Sequence, residues 1–198
     1  VKIHSAKLSG EQIWLSDVEV NQLGPGLILE ECEIFSDCQE NALVMSGVRM
    51  HGGRFVQQER DLVDCQFDRV HFDGVKFVGR FIGCDFGNWD STDKASITRC
   101  DFTEAVLDDC RFLNCDVETL ALPKWPCFAI VNPAEARDFV MGNAWPAKTR
   151  ITLDVYTDVD PECTASLGDA SRMAKRDGIP LEDLRERLLA IPGILIRD

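Results

Sequence analysis

The amino-acid sequence predicts a mainly β fold, a solenoid that turns a corner every five residues through positions 1–122, capped by a small α/β or helical appendage over 123–198. Three observations carry that prediction. Bulky apolar residues recur every five positions, a small residue sits two places before most of them from Phe67 onward, and the pattern ends at Leu122. A fixed internal period is the signature of a repeat architecture and outranks local propensity.

The repeat is clearest in CDFTEAVLDDCRFLNCDV, residues 100–117. Its bulky positions run Ile97, Phe102, Leu107, Phe112, Val117 and Leu122. Ala95, Cys100, Ala105, Cys110 and Cys115 precede the first five, with the larger Leu120 closing the series. Phe67, Phe72 and Phe77 follow Cys65, Val70 and Val75 in the same frame. Gly79 with Phe81 and Cys84 with Phe86 fit once one residue is dropped, and a loop near 87–94 then restores the frame. Over 1–64 the pattern is irregular. Ile3, Leu8, Ile13, Val18, Leu23 and Ile28 keep the spacing, and a competing frame runs through Leu15 and Val20. Cys32 with Ile34, Ala42 with Val44 and Gly53 with Phe55 fit in shifted phases.

Neither a helix nor a flat strand places every fifth residue on one side, because their side-chain periods are 3.6 and 2. A coil with a corner every five residues does. One inward residue then reaches the coil centre, and the other packs near a corner where only a small side chain has room. Stacked coils would pair as parallel strands about 4.8 Å apart. CDFTE, AVLDD and CRFLN resemble units of the pentapeptide-repeat family, whose loose consensus is Ala, Asp or Asn, Leu and two variable residues. The resemblance is strong over 65–122, weaker over 1–64 and absent from 123 onward. It implies a right-handed, four-sided β-helix with four units per turn, hence roughly six coils at about 20 residues each.

After Leu122 the chain reads LPKWPCFAIVNPAEARDFVMGNAWP. Asn132, Pro133 and Glu135 predict a helix over 133–142, with Asn132 as the capping side chain and Gly142 with Asn143 as the stop. The alternation in TRITLDVYT predicts a strand near 150–156. Cys163, Leu167, Ala170 and Ala174 fall at steps of four, three and four, which predicts a helix over 164–177, and a last helix spans 180–191. The open end of a β-helix needs a cap, and Trp125, Pro126, Cys127 and Phe128 are placed to begin one. The rest of the segment is read as cap alone, or as a cap that also forms a binding or homodimer contact.

Catalytic chemistry has little to stand on. No nucleophile elbow, zinc-protease, P-loop or dinucleotide string occurs. His71 lies beside Asp73, but no nucleophile accompanies the pair. The nine cysteines are odd in number and form no CxxC, which excludes a zinc ribbon and a dithiol redox motif and favours buried thiols. Cys110 and Cys115 read as core rather than metal ligands. DVYTDVDPE lacks the spacing of an EF-hand loop. No metal and no cofactor is expected.

Charge narrows the partners. The formal net charge is −13, and residues 1–122 hold 11 Lys+Arg against 22 Asp+Glu, while residues 123–198 hold 10 against 12. Direct nucleic-acid binding and anionic membranes are therefore disfavoured for the rod. No apolar run reaches the eighteen or so residues of a membrane span, and the opening residues lack a signal-peptide layout, so a soluble cytoplasmic protein is expected. The outward slots carry Asp64, Asp68, Asp73, Asp85, Asp101, Glu104, Asp108, Asp109 and Asp116, read as an acidic interaction surface or as a solubilising one. The leading functional reading is a non-catalytic protein-binding module that presents this rigid acidic surface to a protein partner. The resemblance implies a narrower version, since some family members mimic duplex DNA and protect type II topoisomerases. An immunity protein against a toxin with a basic cleft uses the same physics. The opposing alternative is a small-ligand or enzymatic site where rod meets appendage, around Trp125, Trp145 and the loop holding Trp89.

Overall fold

The computed structural model describes residues 1–39 and 42–198. Stacked parallel strands form a β-solenoid of about 5 turns, and 4 helices lie near the C-terminus. Each coil visits four faces. The first stacks Lys2–Ile3, Asn21–Leu23 and Leu43–Met45, and above them Gln66–Phe67, Asp85–Gly87 and Cys110–Leu113. The second stacks Lys7–Ser9, Leu27–Glu30, Val48–His51, Val70–Asp73 and Ser96–Thr98. The third begins with Gln12–Leu15, Glu33–Ser36 and Arg54–Gln57 and continues into Lys76–Ile82 and Asp101–Asp108. These last two strands bend onto the fourth face, where Leu62–Val63 joins them.

The corners explain why the period exists. Between the second and third faces Gly10, Glu31, Gly52, Gly74 and Arg99 form a column, all with φ between 50° and 67°. The first four donate their amides to the carbonyls of Glu30, His51, Asp73 and Thr98 on the next coil, at 2.8–2.9 Å. Left-handed backbone is free for glycine and costs about 1 kcal/mol for other residues, and here the interstrand bond offsets it. Above the first coil, whose Glu11 is exposed, the residue after the corner (Cys32, Gly53, Val75 and Cys100) points inward against the same column of the coil below, so it must be small. Gly53 marks the limit, since a Cβ there would lie 1.9 Å from the Cys32 carbonyl oxygen.

Cysteine suits that slot for a second reason. The Sγ atoms of Cys32, Cys84, Cys100 and Cys110 lie 3.3–3.6 Å from the carbonyl two residues earlier, a weak hydrogen bond that alanine cannot make. No disulfide links the cysteines; eight are buried and Cys115 is half-buried. Between the corners, bulky residues stack in axial ladders. Ile13, Ile34, Phe55 and Phe77 are register partners, and Phe102 continues the line with its ring 4.5 Å from that of Phe77. Phe67, Phe86 and Phe112 form a second ladder.

The five-residue frame over 97–122 is buried as expected, with Cys115 half-buried, and so are Phe67, Phe72, Phe77, Phe81 and Phe86. Lower down the frame fails. Val18 is 88% exposed, Val20 and Val44 are exposed, and Ile28 is only half-buried, while Leu15, Leu27, Leu29, Leu43 and Met45 face the core. The Gly24–Pro25–Gly26 corner carries an extra residue, so Leu23 to Leu29 is a step of six. The later sides then use strand alternation with two inward residues each. Hydrogen bonds between adjacent lower coils join residues 20 to 22 apart. Those that cross the coil containing 88–94 span 25 or 26, because that stretch leaves the coil as a loop around Asn88.

The appendage continues one face of the rod. Cys163–Asp169 pairs antiparallel with Cys110–Leu113, then with Cys127–Val131, which pairs with Ile194–Ile196. The helices α1 (Pro133–Gly142), α2 (Ala147–Thr157), α3 (Ala170–Asp177) and α4 (Leu181–Leu188) pack on this sheet. Phe128, Ile130, Val140, Leu153, Tyr156, Met173, Leu184 and Leu188 form their core. Three expectations are corrected. Residues 150–156 belong to α2, which buries Thr149, Leu153, Tyr156 and Thr157 at helical spacing. The helix expected over 164–177 is a strand to Asp169 and a helix after it. That strand is covered by rod and helices, so it shows no polar alternation. Asn132 precedes α1 in a left-handed conformation, with no side-chain cap bond.

Replacing Phe102 with Ala is expected to destabilise the protein by about 3–5 kcal/mol in urea denaturation, because the ring packs against Phe77, Phe86 and Phe112. Burial pushes the thiols of Cys100 and Cys127 up to about 12. At pH 8 a thiol reagent should therefore leave both unlabelled in the native protein and label them on unfolding; labelling of both at the unfolded rate would contradict the buried placement.

Candidate interaction site at the junction of rod and appendage

A second corner column separates the fourth face from the first. It consists of Asp64, Gly83 and Asp109, with φ of 52°, 64° and 56°. The Asp64 amide donates to Ile82 O at 2.8 Å and the Gly83 amide to Asp108 O at 2.9 Å. Two carboxylates thus stand in one column with a glycine between them, and a Cβ on Gly83 would lie 2.2 Å from Asp64 Oδ1. The appendage closes on this corner. The Asp109 amide donates to Tyr156 Oη at 3.1 Å, and the Asp169 amide donates to Asp108 Oδ1 at 2.9 Å. Arg172 of α3 pairs with Asp108.

The result is a cleft of about 190 Å³ lined by Ile82, Asp108, Asp109, Ile151, Thr152, Val155, Tyr156, Arg172, Met173 and Arg176. A second recess of similar size, bounded by Asp64, Gly83, Arg111 and Ser166, shares Asp109, Val155 and Tyr156 with it. On α2 the side chains of Ile151 and Val155 stand one turn apart, 65% and 59% exposed. Burial, reinforced by Asp108 and Asp109, pushes the Tyr156 hydroxyl well above 10, so it remains a neutral phenol. Asp109 reaches solvent at the mouth of the cleft. Desolvation of its carboxyl and the nearby charge of Asp108 raise its pKa above 3.8.

The nine acids expected on the surface divide into groups. Asp64, Asp108 and Asp109 meet at this corner. Asp108 is buried rather than outward, because the appendage covers it. Asp85 is also buried: Arg111 Nε and Nη2 donate to its two oxygens at 2.7 and 2.8 Å, and the guanidinium lies 5.2 Å from the centre of the Trp89 ring. Asp73 pairs with Arg99 at 2.6 Å and accepts from Thr98 Oγ1, and Glu104 pairs with Lys76. Asp101 accepts from the Thr103 amide and hydroxyl. Asp116 caps a short 3-10 turn through the Glu118 amide, and Asp68 is exposed. Trp125 and Trp145 pack against the appendage core, leaving Trp89 over a shallow cleft with Arg111, Asp158, Val159 and Asp160.

The apolar face of α2 is hidden in the sequence because Ile151, Leu153 and Val155 alternate as in a strand. Sequence reasoning also misses that Asp64 and Asp109 share a column; the signal is the Asp or Gly that immediately precedes each small inward residue. Among the described residues no group of three or more His, Cys, Asp or Glu side chains is arranged to hold a metal ion, and no helix is long and apolar enough to cross a membrane. No family model matches the chain, and no curated protein matches it.

The folded protein holds the Asp109 proton more tightly than the unfolded chain, which has an ordinary value of 3.8. That contribution to stability is fully present below pH 3.8 and is lost as pH rises through the raised folded value. Asp109→Asn should accordingly be more stable than the parent at pH 7, with the gain vanishing at pH 3. A melting-temperature series over that range reads it, and an unchanged or lowered stability at pH 7 would refute the crowded-carboxyl account.

Proposed function

We propose that the chain is a non-catalytic protein-binding module of the pentapeptide-repeat type, which engages its partner through the junction corner. The observation that carries this reading is the exposed pair Ile151 and Val155 beside the carboxylates of Asp64 and Asp109. Apolar contact area rimmed by charge is the usual anatomy of a protein interface. The partner that fits supplies apolar side chains for the α2 face and cations for the corner.

The charge arrangement favours this local surface over a long mimic of duplex DNA. A mimic needs uninterrupted negative rows, whereas Asp85, Asp73, Asp108 and Glu104 are each neutralised by a basic neighbour. An immunity protein directed at a basic cleft remains the narrower form of the same proposal, since a small apolar patch with two free acids suffices for it.

Immobilised protein should capture a partner that elutes as ionic strength rises. Ile151→Asp and the double variant D64N/D109N should each weaken that partner's binding about tenfold, leaving the fold intact because all three side chains are exposed. A partner whose affinity is unmoved by both variants would place the interface elsewhere.

A further inference from the structure

The rod holds seven arginines among residues 1–122. Five form ion pairs, namely Arg54 with Glu33, Arg60 with Asp17, Arg80 with Asp61, Arg99 with Asp73 and Arg111 with Asp85. The two that pair with no carboxylate among the described residues, Arg49 and Arg69, line one cleft on the second face. In the rod, where 22 acids face 11 bases, the other five arginines all find a carboxylate, so two guanidiniums that line the same cleft without one among the described residues call for a cause.

Their placement follows from the stacking. Arg49 and His71 are register partners, and His71 pairs in turn with Ser96, whose hydroxyl lies 2.8 Å from His71 Nδ1. Arg69 is held beside them because its carbonyl accepts the Gly47 amide at 2.7 Å. The loop that interrupts the repeat closes the cleft with Asp93 and Lys94, and Lys94 is steadied by Asp90 at 2.6 Å. The cleft holds about 390 Å³, within the range of small-molecule sites. Asp93 is the acid on its rim.

We propose that Arg49, Arg69 and His71, closed by Lys94, form a binding site for the phosphate group of a small phosphomonoester. Paired guanidiniums present forks of donors that match a tetrahedral oxyanion, and among the described residues neither is occupied by an internal acceptor. The ligand is small rather than polymeric, since the surrounding negative charge repels a polyanion while a single phosphate meets three cations at once. The break in the repeat at 88–94 thereby acquires a role as the wall of this site.

Isothermal titration at constant ionic strength tests it, with orthophosphate, a sugar phosphate and a nucleoside monophosphate as probes and chloride as the control anion. At least one phosphate-bearing probe should bind saturably at one site per chain, and the order of the two esters identifies which kind of ligand the cleft prefers. Arg49→Gln and Arg69→Gln should each weaken binding about tenfold, whereas Lys175→Gln, an exposed cation on α3, should leave it unchanged. Arg49→Lys, which keeps the charge and loses the fork, should fall between them and secures the test should a glutamine variant misfold. Absence of saturable binding by all three probes up to about 10 mM would overturn the proposal. So would an equal loss in Lys175→Gln, or no loss in the two arginine variants.

Discussion

The structure depends on one constraint: each coil must offer the coil above it the same backbone groups at the same corners. At the second-to-third-face corner, a left-handed residue turns its amide toward a carbonyl one coil away, and this repeats from Gly10 to Gly74. Everything inward follows from that alignment. The residue after the corner meets its own equivalent below and must be small, while the residue two further on meets its equivalent at the coil centre and can be an aromatic ring. Parallel stacking therefore converts a weak sequence period into ladders of similar apolar side chains, and burial of these ladders stabilises the stack.

The same alignment governs charge. Outward residues on adjacent coils lie about 4.8 Å apart, so an acid and a base one coil apart in sequence become neighbours. Glu33 with Arg54 and Asp85 with Arg111 are such pairs, formed across 21 and 26 residues. Net charge is consequently a poor guide to where free carboxylates stand. Most of the rod's arginines are absorbed by this axial pairing, and both proposals draw on positions it leaves over among the described residues, acidic at Asp64 and Asp109 and basic at Arg49 and Arg69.

How far the sequence reveals the fold depends on whether corners are visible in it. Over 97–122 each corner has the same length, and every bulky residue from Ile97 to Leu122 is buried. In the lower coils one additional residue at Gly24–Gly26 shifts the phase, so Ile28, which keeps the spacing, misses the core, while Val18 misses it because it lies in the turn between Gln12–Leu15 and Asn21–Leu23. In the appendage, α2 reads as a strand because Ile151, Leu153 and Val155 alternate, yet only Leu153 of the three is buried. The helical set that packs inward includes Thr149 and Thr157, whose polarity hides the period. Of the site, the acids were legible and their pairing was not, because a linear sequence does not state which arginine lies one coil away.

The appendage and the candidate interface are one construction. A stacked parallel edge ends in unsatisfied strand groups, and Cys163–Asp169 covers that edge by running antiparallel to Cys110–Leu113. This strand enters α3 through Asp169, whose amide binds Asp108 and whose carboxylate caps the helix at the Ser171 amide. Capping the rod therefore fixes α3, and with it Arg172, against the Asp64–Asp109 column, while Tyr156 ties α2 to the same corner. An exposed apolar turn on α2 is held in register with two carboxylates through connections that the cap requires in any case. Closing the edge and building the proposed contact surface are thus the same structural act, so a change that loosens the cap should also misplace Ile151 and Val155 relative to the acids.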